Sequence, residues 1–204
     1  MAYKPHQREY RSFGAASFTE QAQQQEDGSY IVEGYATTFD DPYELYPGVY
    51  EVIDRNALSE ADMSDVIAQY NHDGMVLARM SNGTLAVMAD DHGIFCRMDL
   101  GGTQQGRDLH EAIKNGLVTQ MSWGFAVAEG GWEYDPDTRT STITKVAKVY
   151  DVSAVSIPAN DGTEIKARSY LDGVIEAEHE ELVQREKDMD RRKRIALLME
   201  VTAR

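Results

Sequence analysis

The sequence predicts a mostly β protein with embedded helices, in the α+β class. Three features indicate this class: short stretches in which apolar and polar residues alternate, turn residues at their ends, and one amphipathic helix. A barrel and a sandwich both fit this pattern. With 204 residues, the chain is long enough for one domain with extensions. We expect a flexible N-terminal arm over residues 1–27, a domain over residues 28–168, and a charged, helical tail over residues 169–204.

Composition and charge narrow the possible partners and the compartment. The net charge of −15 argues against a nucleic-acid-binding protein, because such proteins present basic patches. We expect no membrane span and no signal peptide, since the chain contains no apolar run typical of either. Cys96 is the single cysteine, which excludes a disulfide within the chain and fits a reducing cytoplasm. Metal-ligand spacings and glycine-rich phosphate loops are also missing, so we expect no cofactor and no metal.

The predicted strands follow from alternation and from the turn residues that bound them. They cover residues 30–39, 49–53, 65–70, 84–89, 94–100, 120–127, 140–144 and 146–158, the last two being one long strand or a pair broken by a bend. The strand over residues 65–70 ends in the dense turn signal Asn71-His72-Asp73-Gly74.

Two helices and a hairpin complete the predicted elements. A short helix is expected over residues 56–61, and a longer one over residues 104–115, where Thr103 is a suitable N-terminal cap and Gly116 a suitable end. The turn Asp90-Asp91-His92-Gly93 joins two strands as a hairpin.

The strand over residues 120–127 has two faces of different character. Met121, Trp123, Phe125 and Val127 point to one side, and Gln120, Ser122, Gly124 and Ala126 point to the other. A row of small side chains leaves room for another backbone to approach Ser122. Ser122 is therefore either an ordinary serine on a solvated strand face or a nucleophile, and a nucleophile needs a base and a group that orients the base.

Five histidines are candidates for the base. Four have ordinary explanations: His6 and His179 lie in the predicted tails, His92 in the hairpin turn, and His110 on the polar side of the helix. His72 differs because it closes a strongly apolar strand, where the scaffold can hold a side chain at the edge of a cleft. A simple turn histidine remains the alternative.

Asp151 is the candidate for orienting the base. Aspartate is rare in strands, yet Asp151 shares a strand face with apolar residues, and a carboxylate in such surroundings needs a partner. Lys145 or Lys148 would be an ordinary structural partner. Asp73, next to His72 in the chain, competes for the orienting role.

The segments around these candidates resemble those of the prohead maturation proteases of tailed bacteriophages, which are similar to the herpesvirus capsid assembly protease. The resemblance covers about residues 8–165. The matching segments are Gly34-Tyr35-Ala36, Asn71-His72-Asp73, Met121-Ser122-Trp123-Gly124-Phe125 after the helix that ends at Gly116, and Asp151-Val152-Ser153 followed by Pro158-Ala159-Asn160.

The resemblance implies a herpesvirus-assemblin-like β-barrel and a serine endopeptidase. Ser122 would be the nucleophile, His72 the general base and Asp151 the group that orients the imidazole. Backbone N–H groups near Ser122, or the side chain of Arg79, are candidates for the oxyanion hole. The enzyme would cleave scaffold or major capsid protein segments, and itself, inside the immature head in the host cytoplasm, and it could form a homo-oligomer.

A second interpretation belongs to a different class of protein. A structural assembly protein of the shell could keep the same fold without the chemistry. Labelling with a reagent that modifies active-site serines would separate the two.

Overall fold

The computed structural model describes residues 7–12, 18, 23–24, 29–46 and 48–156. Within these residues the chain is mostly β, with one α-helix and one 3₁₀ helix, which confirms the predicted class. The predicted tail, the Pro158-Ala159-Asn160 segment and most of the predicted arm lie outside the described residues. The division of the chain into arm, domain and tail therefore stays a prediction.

The helices and strands have the following bounds. In chain order the strands are β1 (Arg8–Arg11), β2 (Gln23–Gln24), β3 (Tyr30–Thr38), β4 (Tyr43–Tyr46), β5 (Val49–Ile53), β6 (Ile67–Tyr70), β7 (Asp73–Arg79), β8 (Leu85–Ala89), β9 (Gly93–Asp99), β10 (Gln120–Val127), β11 (Trp132–Asp135), β12 (Thr140–Ile143) and β13 (Val146–Val155). The 3₁₀ helix (Met80–Asn82) follows β7, and the α-helix α1 (Gln104–Lys114) precedes β10.

A five-stranded sheet carries the three candidate residues. Its order is β1-β10-β13-β6-β7, with β13 and β6 parallel and the other neighbours antiparallel. On one face of β10, Met121, Trp123 and Phe125 are completely buried, as their alternation predicts. The rings of Trp123 and Phe125 stack at 3.9 Å between centroids. This face packs in the core, and Ser122 points to the opposite face of β10.

The other strands form two four-stranded sheets. One has the order β11-β12-β5-β4, with β12 and β5 parallel, and the other has the order β2-β3-β9-β8 and contains the predicted hairpin of β8 and β9. Core residues of these sheets include Ile53, Ile143, Val32, Ile94 and Cys96, all nearly inaccessible to solvent. Closure of the sheets into a barrel stays a prediction.

The helix α1 begins where the sequence predicts. The Thr103 hydroxyl accepts a hydrogen bond from the Gly106 N–H at 3.0 Å, which satisfies one of the unpaired amides of the first turn. His110 was expected on the polar side of this helix, and this is wrong: His110 is buried, edge-on to the Tyr30 ring at 5.2 Å. Within the described residues no helix is both long and apolar enough to cross a membrane.

The short helix predicted over residues 56–61 is replaced by successive turns. The N–H groups of Ala57, Ser59 and Ala61 bond to carbonyls three residues earlier, at 2.9 to 3.1 Å. Asp54 also accepts the Asn56 N–H through its side chain at 2.7 Å, and such local bonds favour turns over a helix.

Three strands, β4, β7 and β11, are missing from the sequence prediction, and β1 and β2 lie inside the predicted flexible arm. Asn71 and His72 form a two-residue hairpin turn, and Tyr70 of β6 pairs directly with Asp73 of β7. β7 therefore begins inside the segment that the sequence predicts as a turn. β1 pairs with β10 from Arg8, opposite Ala126, to Arg11, opposite Trp123. This segment of the arm is therefore an edge strand of the five-stranded sheet.

Candidate active site

His72 is held by a tight turn between β6 and β7. Asn71 and His72 have φ angles of 52° and 58°, and two consecutive positive φ angles are typical of the type I′ hairpin turn. Such angles are uncommon for residues other than glycine, so the surrounding contacts have to maintain them. The Asn71 side chain accepts the Ser156 N–H at 3.0 Å, and the Asn71 N–H donates to the Ala154 carbonyl at 2.9 Å. These bonds fasten the histidine turn to β13, the strand that carries Asp151.

Ser122 lies on the small-residue face of β10, opposite Ser153 of β13. The sequence predicts an accessible serine on this face, and this is wrong: Ser122 has 0% of its surface exposed. The predicted approach of another backbone does occur, because the Ser122 hydroxyl lies 2.9 Å from the Arg11 carbonyl oxygen at the end of β1. The edge strand covers the serine from one side.

Asp151 stands opposite Gly124, and the pairing of β10 with β13 is irregular directly after that position. Such irregularities redirect side chains and occur often beside functional sites. Burial raises the pKa of the Asp151 carboxyl, but the opposing effects of His72, Ser153 and Arg8 are larger together, and the pKa lies below its usual value. Asp151 is therefore an ionised carboxylate with no exposed surface.

The structure brings His72, Ser122 and Asp151 together in one chain of contacts. The His72 Nε2 atom lies 2.6 Å from the Ser122 Oγ atom, and Nδ1 bonds to the Asp151 carboxylate. An ionised carboxylate can only accept, so Nδ1 carries the hydrogen and Nε2 is left as the acceptor that a general base needs. The ring retains 13% side-chain exposure, so the site meets solvent at the histidine.

The other candidates for these roles have different partners. Asp73 accepts the Gly74 N–H at 2.7 Å, whereas Asp151 contacts the His72 ring. Arg79, considered for the oxyanion hole, forms an ion pair with Asp65, with Nε 2.9 Å from the carboxylate.

The Ser122 hydroxyl has two acceptors within reach, the His72 Nε2 atom and the Arg11 carbonyl oxygen. A hydroxyl has a single hydrogen to donate, so one contact competes with the other. Proton transfer to His72 requires the hydrogen to leave the Arg11 carbonyl.

Two residues of β1, Arg8 and Tyr10, belong to the site and were not predicted from the sequence. The Arg8 guanidinium forms an ion pair with Asp151. The Tyr10 ring lies against His72 with 4.3 Å between ring centroids, and its burial raises the pKa of its hydroxyl. Three of the four residues in Arg8-Glu9-Tyr10-Arg11 are charged, so the sequence has no alternation of apolar and polar residues that could have indicated this strand.

A cavity of about 420 Å³ lies beside the histidine turn, between β7 and α1. The cavity is lined by residues of β6, β7, α1 and the segment that leads into β10. They are Tyr70, Asp73, Gly74, Met75, Leu77, Gln105, Asp108, Leu109, Ala112 and Val118. The walls are mainly apolar, with carboxylates at two positions. Among the described residues no group of three or more His, Cys, Asp or Glu side chains could hold a metal ion.

Similarity to known proteins assigns the chain to a family. The family model described as caudovirus prohead serine protease matches residues 16–175. The prohead protease of Enterobacteria phage HK97 is 30% identical over 149 residues, which cover 71% of this chain and 62% of that protein. The structure of the bacteriophage T4 capsid assembly protease aligns with a TM-score of 0.49 and 10% identity, over 74% of this chain and 98% of that one. By its match to the family model, the chain belongs to the caudovirus prohead serine proteases.

Proposed function

We propose that the chain is a serine endopeptidase in which Ser122 is the nucleophile, His72 the general base and Asp151 the group that orients the base. The observation that carries the proposal is the 2.6 Å separation of His72 Nε2 and Ser122 Oγ, with Nδ1 of the same ring bonded to Asp151. A nucleophile, a base in hydrogen-bond reach and an orienting acid are what acyl transfer requires. Membership of the prohead serine protease family supports the same chemistry.

The reaction would follow the double-displacement route of such sites. His72 Nε2 takes the hydroxyl proton while Ser122 Oγ attacks the carbonyl carbon of the peptide bond, and Asp151 stabilises the imidazolium that forms. His72 then gives the proton to the leaving amine, which departs and leaves an ester on Ser122. A water molecule, deprotonated by His72, hydrolyses the ester and restores the hydroxyl.

Access to the nucleophile requires a movement at the end of β1. Ser122 is completely buried, and the Arg11 carbonyl occupies one side of its hydroxyl. Binding of a peptide would have to displace that contact and direct the hydroxyl hydrogen to His72. The cavity between β7 and α1 is a suitable place for a substrate side chain, because it is concave, mainly apolar and lies beside the histidine turn.

The substrates that we propose are segments of a scaffold protein or the major capsid protein, and the chain itself, inside the immature head in the host cytoplasm. The similarity to the HK97 prohead protease supports this assignment. Assembly into a homo-oligomer, and closure of the sheets into a herpesvirus-assemblin-like barrel, belong to the same proposal.

Replacement of the nucleophile tests the proposal. We expect Ser122→Ala to keep its circular dichroism spectrum but to lose cleavage of the co-expressed scaffold and capsid proteins by about 10⁴-fold or more, as removal of a triad member does elsewhere. A fluorophosphonate probe should label the unaltered chain and not this variant. Ser59→Ala, at an exposed turn, is the matched control and should be labelled and active.

Two results would contradict the proposal. One is cleavage by Ser122→Ala at the rate of the control. The other is failure of the probe to label the unaltered chain while its co-expressed shell proteins stay uncleaved, which would favour a structural assembly protein.

A further inference from the structure

We infer that Arg8 is a positioning residue of the site, whose guanidinium passes across β10 at Gly124 and holds Asp151 in the orientation from which it binds His72. The inference rests on the proposed function and adds to it a residue from the N-terminal edge strand. Arg8 contacts Asp151, not the reacting atoms, so it would act through the carboxylate.

The gap at Gly124 is the first observation. Gly124 of β10 pairs with Tyr10 of β1 on one side and with Asp151 of β13 on the other. A Cβ atom at this position would collide with Asp151 Oδ1 and would lie 3.0 Å from a Tyr10 ring carbon and 3.2 Å from Arg8 Nε. Because Gly124 has no side chain, Arg8 of β1 can reach across β10 and contact Asp151 of β13.

The second observation is that both oxygens of Asp151 are engaged. Arg8 donates to Oδ1, while the His72 ring and the Ser153 hydroxyl, the latter at 2.7 Å, donate to Oδ2. A carboxylate fixed at both oxygens cannot turn about its terminal bond, so the Arg8 contact keeps Oδ2 directed at His72. The charged or titratable groups that face the carboxylate are Arg8 and Tyr10 from β1 and His72 from the β6–β7 turn.

The third observation concerns how Arg8 itself is held. Its guanidinium carbon lies 5.1 Å from the Tyr10 ring centroid and 4.9 Å from the Tyr150 ring centroid, within the range of cation–π attraction. Tyr10 also contacts the His72 ring. Arg8 keeps 36% side-chain exposure, so its surroundings fix its direction without enclosing it in the core.

Substitution of Arg8 tests the inference, because loss of a positioning residue should lower kcat and leave KM unchanged. We expect Arg8→Gln to lower kcat about 10²-fold with KM unchanged, because a small misplacement of a group that holds the base has effects of this size. Arg8→Lys should recover part of the loss, since lysine keeps the charge but not the planar fork. Arg97→Gln is the control: it also removes an arginine–carboxylate pair, with Glu33 at 3.1 Å, and should leave kcat unchanged.

Filling the gap tests the same contact without removing either partner. We expect Gly124→Ala to lower kcat in the manner of Arg8→Gln, because the added methyl group separates Arg8 from Asp151. Gly102→Ala is the matched control, since a Cβ at that position meets nothing within 4 Å. If Gly124→Ala does not fold, Arg8→Lys and Arg8→Gln decide the question.

A spectroscopic measurement distinguishes this inference from the proposed function. The proton of the His72 Nδ1–H bonded to Asp151 should give a low-field NMR signal in the unaltered chain that weakens or moves in Arg8→Gln and not in Arg97→Gln. This readout needs no turnover, so a chain that cleaves nothing can still decide the role of Arg8. The inference is overturned if the signal is the same in both variants, or if Arg8→Gln changes kcat no more than Arg97→Gln does.

Discussion

Arg8 and Arg11 lie on one short strand and meet buried carboxylates on opposite faces of the sheet. Arg8 pairs with Asp151 on the face of Ser122, and Arg11 pairs with Glu51 on the core face, with Nε 2.6 Å from Oε1. Residues three apart on a strand point in opposite directions, so β1 contributes one cation to each side.

The two ion pairs differ in what else their carboxylates bind. Asp151 is shared with His72, and its arginine is partly open to solvent, whereas Glu51 also accepts a hydrogen bond from Tyr43, and its arginine has 6% side-chain exposure. Glu51 belongs to β5 in another sheet, so the Arg11 pair joins two sheets. The same chemistry would therefore orient the proposed base on one face, and it joins two sheets on the other.

The largest expected effect lies on the site face. Asp151→Asn should lower kcat by about 10⁴-fold in a folded protein, because the amide favours the wrong imidazole tautomer, as the equivalent change does in serine proteases of the chymotrypsin type. Asp73→Asn is the control and should cost much less, since Asp73 bonds to the backbone of its own turn. Peptide-cleavage rates of both variants, with circular dichroism to verify folding, check this. The opposite order would remove Asp151 from the proposed triad.

On the core face the expected effect is on stability. Glu51→Gln should destabilise the fold by about 3 kcal/mol, because the buried Arg11 guanidinium loses its shorter ion pair and keeps the longer one, in which Nη1 lies 3.4 Å from the Glu9 carboxylate. For a chain of this size the loss corresponds to a melting temperature lower by on the order of 10 °C. Arg8→Gln should lower the melting temperature far less, since its side chain reaches solvent. Differential scanning calorimetry measures both melting temperatures. Equal decreases for the two variants would contradict the expected difference between the two faces.

A smaller effect is expected at the cavity beside the site. Ala112→Phe would fill part of the space between β7 and α1, and we expect KM to rise about tenfold with kcat retained if a substrate side chain binds there. Ala86→Phe, on the exposed side of β8, is the control for a large apolar substitution. An unchanged KM in steady-state cleavage assays would assign the cavity no part in substrate binding.

The smallest expected effect is a pH dependence of stability. The pKa of Asp151 is lower in the folded chain than its ordinary value, because the hydrogen bonds and charges of His72, Ser153 and Arg8 together outweigh the effect of burial. Its contribution to stability is therefore complete above the ordinary aspartate pKa of about 3.9 and is lost as the pH falls through the folded value. The difference in urea midpoint between the unaltered chain and Asp151→Asn should be constant above about pH 4 and should shrink as the pH falls below that value. A difference that grows on acidification would contradict the direction of the pKa shift.

Local signals in the chain account for the elements that the sequence predicted correctly. Alternation over eight residues identified β10 and its core face, and the Thr103 cap located α1, because both signals are local. The strand β1 escaped detection, since four polar and aromatic residues carry no periodic signal strong enough to outweigh their composition. The burial of Ser122 also escaped detection, because β1 covers it from more than 100 residues away in the chain.

The sequence by itself determined which residues could take part: a serine among small neighbours, a histidine at the end of a strand, and an aspartate in an apolar strand. Only the tertiary structure decided that they meet, since the pairing of β10 with β13 and the bonds of Asn71 to Ser156 and Ala154 set their separation. It also decided that Arg8 joins them, through a gap that a single glycine leaves. The sequence specifies the type of each side chain. The distance between side chains on different strands depends on the register of the pairing and on the order of the strands in the sheet.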